Sequence, residues 1–203
     1  MYTFPYFKEP DAQKIIAFIR ANNFALLTGI GEKYPVATQI PLEVEEKEGK
    51  LLLHGHIMKK TDHHIAFEKN NKVLVIFTGP HCYVSASWYT NPLMASTWNY
   101  MSVHVKGKII FTDEAGTYEA IKSITNKYES MESAAAFNNL PKAYVMPMLK
   151  AIIGFTIEVK SLEHIFKLSQ NRDDASKKNI VTQLKKRGDE NSFKIAAEME
   201  KRL

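Results

Sequence analysis

The chain has 203 residues, 45% of them hydrophobic and 24% charged, a globular composition with enough apolar material for a core and none of the polar bias of a disordered chain. No window approaches the ~18 consecutive apolar residues of a membrane span. Met1 to Pro10 mixes aromatics with prolines, so a secretory leader is not expected either. Cys82 is the single cysteine, which excludes an intrachain disulfide framework and fits a reducing, cytoplasmic setting. The formal charge is +5, from 27 basic and 22 acidic side chains. That balance suits an anionic ligand or nucleic acid and selects neither. Residues 172–203 hold nine Lys/Arg and six Asp/Glu, so over half of the excess lies at the carboxyl end.

Asp11 is placed to cap a helix running to about Asn22, with Ile15, Ile16 and Ile19 at helical spacing. Three strands are expected next: Phe24 to Ile30, Val36 to Leu42, and Leu51 to Ile57. Glu45 to Lys50 reads as a charged hairpin tip closed by Gly49, and the three strands together as an antiparallel meander. Lys60 to Lys69 suits a short helix. Lys72 to Gly79 reads as a buried strand ended by Gly79-Pro80, with Cys82 to Ser85 as a shorter one. Ala86 to Ser96 is the long irregular connection. Trp98 to Thr112 suits a long strand with a bulge or bend at Gly107.

Asp113 caps a helix over Glu114 to Tyr128. Glu129 to Asn139, rich in Ser, Ala and Asn, reads as a mobile surface loop, and Ala143 to Ala151 as a short helix. Ile152 to Leu162 is the final strand, with Phe155, Ile157 and Val159 on one face. Two basic helices follow, Ala175 to Arg187 and Ser192 to Lys201, split at Gly188. Six or seven strands with inserted and terminal helices predict an α+β chain, mainly β, built on a closed or nearly closed antiparallel barrel. Residues 1–172 are expected to form that barrel domain, and residues 173–203 a basic helical extension packed on it.

Three segments concentrate chemistry. In the first, His54 and His56 lie two apart on a strand and share a face, with Asp62, His63 and His64 after the turn. Those histidines could ligate a metal, but no Cys or Glu completes a recognised pattern, and solvated or hydrogen-bonded histidines are the simpler reading. Lys59, Lys60 and Thr61, at a strand-to-helix junction, suit a terminal phosphate through two cations, a hydroxyl and free helix amides. A solvated basic turn is the alternative. The second segment runs from Tyr83 to Tyr100 and holds both tryptophans, Trp88 and Trp98, with hydroxyls and Asn99 nearby. Such a cluster either stacks and orients a flat heterocycle or packs a barrel mouth or dimer seam. The third is Lys167-Leu168-Ser169-Gln170-Asn171-Arg172, where the last strand gives way to a helix. Ser169 or Asn171 would cap that helix, leaving Gln170 and Arg172 to reach a ligand.

Together these segments resemble the PaiB-type proteins, an FMN-binding split-barrel family whose members are named negative transcriptional regulators. Four ordered motifs carry the resemblance: Gly55-His56; Ser85-Ala86-Ser87-Trp88-Tyr89; Thr97-Trp98-Asn99-Tyr100 with Val103-His104-Val105; and Lys167 to Arg172. Lys59 stands where the family has Arg, Thr61-Asp62 replace Asn-Pro, and Ala86 and Ser96 replace two prolines. Lysine keeps a cation for phosphate and loses the bidentate fork.

The resemblance implies a split barrel that forms a homodimer with FMN at the subunit interface. On that basis Lys59, Lys60 and Thr61 hold the phosphate, and Thr38, Gln39 and Ile40 line the isoalloxazine. His56 belongs to the same set, and Trp98, Asn99, Gln170 and Arg172 approach from elsewhere in the dimer. No metal is expected. The fold leaves two functions open. One is a regulator, with DNA as a partner and FMN as a structural or sensing ligand. The other is a flavin-dependent oxidoreductase acting on a small molecule, with His56, Tyr89, His104 or Arg172 as proton donor or anion clamp. Haem binding through the histidines is a third reading. The mixed charges of the terminal helices read as a solvated face, thin for a DNA footprint.

Overall fold

The computed structural model describes Met1 and residues 4–203. Its seven strands are β1 (Phe24–Gly29), β2 (Val36–Pro41), β3 (Glu43–Lys47), β4 (Lys50–Met58), β5 (Lys72–Val84), β6 (Thr97–Phe111) and β7 (Ile152–Lys167). Six α-helices accompany them: α1 (Ala12–Ala21), α2 (Asp62–Lys69), α3 (Glu114–Tyr128), α4 (Lys142–Leu149), α5 (Asp174–Arg187) and α6 (Glu190–Glu200). Short polar side chains start most of the helices by accepting an orphan amide hydrogen. Asp11 accepts from Gln13 N–H at 2.9 Å, Asp113 from Gly116 at 2.8 Å, Asp173 from Ser176 at 2.8 Å and Asp189 from Ser192 at 2.9 Å. The cap of α5 is therefore Asp173, in place of Ser169 or Asn171. Gly188, at φ 85°, closes α5 in the left-handed region.

The strands form one antiparallel sheet in the order β2-β1-β5-β6-β7-β4-β3. Its two end strands, β2 and β3, are separated in the chain by Leu42 alone. One intervening residue spans at most about 7 Å, so the ends of the sheet must come together and the sheet curls into the expected split barrel. Leu42 is fully buried, and its N–H donates to the Asn23 carbonyl at 2.9 Å.

The chain divides into two compact units. A barrel unit comprises residues 19–77 and 104–162, and a terminal unit comprises residues 1–18, 78–103 and 163–203. The barrel core is made by inward residues of paired strands, with Leu53 opposite Ile157 and Gly55 opposite Phe155, joined by fully buried Leu27, Val75 and Phe77. The terminal unit has its own core, in which Val84, Val103, Leu168, Ile180, Leu184 and Ile195 are buried. Asn179 of α5 donates to the Trp88 carbonyl at 2.8 Å, and Ser176 receives the Thr90 N–H at 2.9 Å.

Several sequence expectations change. The meander does not form, because Glu43–Lys47 is a strand in its own right and occupies one edge of β4 from Glu43–His54 to Lys47–Lys50. The other edge of β4 goes to β7, and the hairpin tip shrinks to Glu48-Gly49, with φ 51° and 74°. β5 continues through Gly79-Pro80 as one strand, and its buried set shifts from Val73, Val75 and Phe77 to Cys82 and Val84. This one-residue change of phase turns the second half of the strand to its other face.

Gly107 makes no bulge: Asn99, Met101, Val103, Val105, Gly107 and Ile109 are buried in one unbroken phase, with Ser102 buried as well. Its hydrogen side chain is needed for close packing, since a Cβ there would lie 2.5 Å from Ile157 Cγ2. β7 runs on to Lys167, carried by buried Ile165 and Phe166. The 129–139 segment is held by Phe137, which is buried with Val145 and Leu149 against Tyr118 and Ile121.

Candidate functional site

In the barrel unit the candidate residues sit at the end of β4 and on β2. Leu53, Gly55 and Ile57 of β4 face the core, so His54 and His56 share the opposite face. His54 lies 3.1 Å from Thr156 Oγ1 and 2.9 Å from Glu45 Oε2. His56 is half-buried beside Pro41, Glu43, Ala120 and Ile124, which places it beneath α3. Burial, which disfavours the charged imidazolium, holds its pKa below the usual imidazole value.

Beyond Met58 the chain turns sharply. Lys60 adopts φ 65°, and Thr61 caps α2. Its hydroxyl donates to the Met58 carbonyl at 3.0 Å and accepts from His64 N–H at 3.3 Å. The His63 N–H goes to the Asp62 carboxylate at 2.7 Å. The first turn of α2 thus satisfies much of its own polarity, and Thr61 acts as a cap. Lys59 and Lys60 are both exposed, and among the described residues neither is ion-paired. At the same corner His64 is nearly buried, and its Nε2 has no partner.

α2 packs on β1 and on β2, the strand that carries Thr38, Gln39 and Ile40. β2 ends the hydrogen-bonded strand order, so one of its backbone edges has no partner strand. Ile40 is buried and paired with Ala25, so its side chain belongs to the core. Two unpaired cations beside an unpartnered backbone edge suit a group that carries a phosphate at one end and a hydrogen-bonding ring at the other. The residues present fit FMN in charge and donor type.

In the terminal unit, Trp98 is 54% exposed, with the rings of His81 and Tyr83 6.2 and 6.1 Å away. Asn99 is fully buried. It accepts the Ser169 hydroxyl at 3.1 Å and donates to the Met199 sulfur at 3.5 Å. Ser169 itself sits at φ 61°, a conformation that this bond secures. Gln170 is also committed internally: Oε1 accepts the Leu168 N–H at 2.7 Å, and Nε2 donates to the Phe166 carbonyl. Asn99 and Gln170 therefore shape the 167–172 turn, while Trp98 stands exposed and Arg172 lines a pocket.

The Arg172 guanidinium stacks 4.3 Å from the Tyr89 ring centre, with Nη1 3.1 Å from the Met94 sulfur. It lines a pocket of about 250 Å³ with Lys167, Thr97, Phe4, Tyr6 and Phe7. Burial, and then the charge of Arg172, lower the Lys167 pKa. Lys167 opens the third sequence segment without having been given a role of its own, and the rings of Phe4, Tyr6 and Phe7 that line this pocket with it were not singled out; the signal was the Phe4-Pro5-Tyr6-Phe7 cluster, whose partners only the fold supplies. No group of three or more His, Cys, Asp or Glu suited to a metal occurs among the described residues.

Residues 1–161 match the family model described as "Putative FMN-binding domain". The chain belongs to this FMN-binding family. Across its full length it is also 32% identical to "Protease synthase and sporulation protein PAI 2" of Bacillus subtilis, spanning 98% of that protein, the PaiB-type relationship to which the four motifs point. Among solved structures it is similar to the flavocytochrome Anf3 from Azotobacter vinelandii. The TM-score is 0.63 at 14% identity, over 82% of this chain and 72% of that one. It is likewise similar to the FAD and heme binding protein from Mycobacterium smegmatis. There the TM-score is 0.61 at 14% identity, over 86% and 78% of the two chains. These likenesses establish the fold, and FMN follows from the family.

Proposed function

We propose that this FMN-binding protein is a homodimer that acts as a negative regulator of transcription, with FMN as its ligand. The observation that carries the reading is the full-length correspondence with the Bacillus subtilis protein named for protease synthesis and sporulation. That correspondence takes in the terminal helices as well as the barrel. Lys59 and Lys60 neutralise the flavin phosphate, and the free edge of β2 meets the ring. In the dimer, the second copy supplies Trp98 and Arg172. Bound FMN supplies electron-transfer chemistry at a planar ring.

The terminal helices contribute little open positive charge to such a role. Lys185 pairs with Glu200, Lys194 with Glu190 and Lys201 with Glu198, each at 2.6 Å. Arg202 reaches Glu9 at 2.8 Å, and Arg187 stacks on Trp88 at 4.8 Å. Regulation through these helices as a DNA footprint has weak support from their charge.

A second reading, a flavin-dependent oxidoreductase, is favoured by the pocket holding Lys167 and Arg172 among aromatic rings, which suits a small anionic substrate. One comparison separates the two. Under the regulatory reading, deleting the gene raises a defined set of transcripts. The wild-type gene restores repression, and the Lys59→Ala/Lys60→Ala variant does not. Unchanged transcripts, with rapid bleaching of the bound flavin by NAD(P)H, would instead establish the enzyme. Sedimentation of the FMN-loaded protein should give a dimer mass.

A further inference from the structure

A second cavity lies in the barrel unit, around the β1–β2 turn, with a volume of about 670 Å³. That is within the range of ~300–1,000 Å³ typical of small-molecule sites. Its floor is apolar, made by Pro35, Val73 and Leu74. Its rim is cationic: Lys33, Lys72, Lys106, Lys108 and Lys160 come from the turn and from three different strands, and no Asp or Glu lines it. The neighbouring carboxylate, Glu158, is bound to Lys160 at 2.8 Å. Its pKa is held below the usual carboxylate value by that hydrogen bond first, and also by the charges of Lys160, Lys50 and Lys108.

Two hydrophobic side chains are held out at this mouth, Tyr34 at 80% and Ile30 at 62% exposure. The turn that presents them has a fixed shape. A Cβ on Gly31 would lie 2.3 Å from the Tyr34 carbonyl oxygen, so only glycine lets the loop close on itself.

Lysines gathered from the turn and from three strands around one cavity call for an anion of several charges, and compact ammonium groups suit phosphate oxygens. An apolar floor with an exposed tyrosine ring calls for a flat body attached to that anion, because aromatic faces stack on bases. We infer that this cavity is a second ligand site, for a multiply phosphorylated nucleotide whose base rests on Tyr34 and Ile30 and whose phosphates meet the lysine rim. This inference goes beyond the flavin reading and does not depend on it. Nothing in the amino-acid order announced the site: the lysines are scattered over ~130 positions of chain, and only the curling of the sheet gathers them.

The test is calorimetric titration of the FMN-loaded protein with ATP in the absence of divalent metal, with tripolyphosphate, and with a short DNA duplex. ATP should bind at least about tenfold more tightly than tripolyphosphate, since only ATP uses the floor. Lys33→Ala/Lys72→Ala/Lys108→Ala should weaken both by about tenfold or more. Tyr34→Ala should weaken ATP about fivefold or more and leave tripolyphosphate unchanged. The flavin spectrum should remain that of the wild type in every variant, which also confirms folding.

Equal binding of ATP and tripolyphosphate would overturn the inference, as would ATP binding insensitive to the lysine substitutions. Displacement of FMN by ATP would place both ligands in one site and overturn it too. So would a duplex that binds through these lysines and is not displaced by ATP, which would make the face a polyanion surface. Loss of FMN from the wild-type protein in the absence of ATP would count against the flavin reading alone.

Discussion

Cys82 is buried on the terminal half of β5, and burial pushes its thiol up to about 11, with Arg187 pulling against the shift and Asp189 adding to it. The thiolate is the reactive form, so the native protein should be inert to a thiol reagent at pH 7 and label stoichiometrically in denaturant. Rapid labelling of the native protein would contradict the placement. His56 makes a different prediction. Its folded pKa is lowered by burial, so its contribution to stability is fully present above the unfolded value of ~6.5 and is lost as pH falls through the lower folded value. Urea midpoints should decline as the pH falls from about 6.5, and His56→Gln should flatten that decline. His164 is lowered as well, by burial first and then by Lys8, so some slope should remain.

Asn99 belongs to this scale too. In the sequence it was a ligand candidate beside Trp98; in the fold its amide holds Ser169 and Met199. Asn99→Ala leaves the Ser169 hydroxyl unpaired and should cost about 1–3 kcal/mol of stability by urea denaturation. A cost well under that range would mean that water replaces the amide.

Among the elements, strands with clean alternation were legible from sequence. β6 keeps one buried phase from Asn99 to Ile109, broken only by buried Ser102, and the Asp-capped helices begin within a residue or two of their expected starts. β3 was not legible, because Glu43–Lys47 offers one apolar residue, Val44, in five; its strand state comes from pairing with β4. Gly79-Pro80 looked like a terminator, yet the strand only changes phase there, which the apolar triplet Val73, Val75 and Phe77 and the pair Cys82 and Val84 of opposite parity could have signalled.

Gly107 was read for its freedom of backbone when its small size is what matters. Gly107→Val would drive side-chain carbons toward Ile157 and the Glu158 carbonyl, 2.5 and 2.7 Å from an added Cβ. It should destabilise the protein by about 1–3 kcal/mol, read as a lower urea midpoint. An unchanged midpoint would show that β6 and β7 part easily.

For the whole molecule, barrel class and ligand class were both readable, from short alternating strands and from four spaced motifs respectively. The order of strands was not, because it depends on Leu42 bringing the two ends of the sheet together. Nor was the division of labour among site residues. The sequence lists Gln170 and Arg172 as equals, whereas the fold binds Gln170 to its own backbone and leaves Arg172 in a pocket. Which polar side chain remains available to a ligand is decided by tertiary closure, which periodicity does not encode.

The central claim is that Lys59 and Lys60, unpaired at the β4–α2 corner, hold the phosphate of FMN. Titrating FMN into flavin-stripped protein and following the visible absorption tests it most directly. Saturation should come at one FMN per chain, and Lys59→Ala/Lys60→Ala should bind about tenfold more weakly with the same urea midpoint as the wild type. A wild-type protein that refuses FMN, or a double variant that binds it as tightly, would contradict the account.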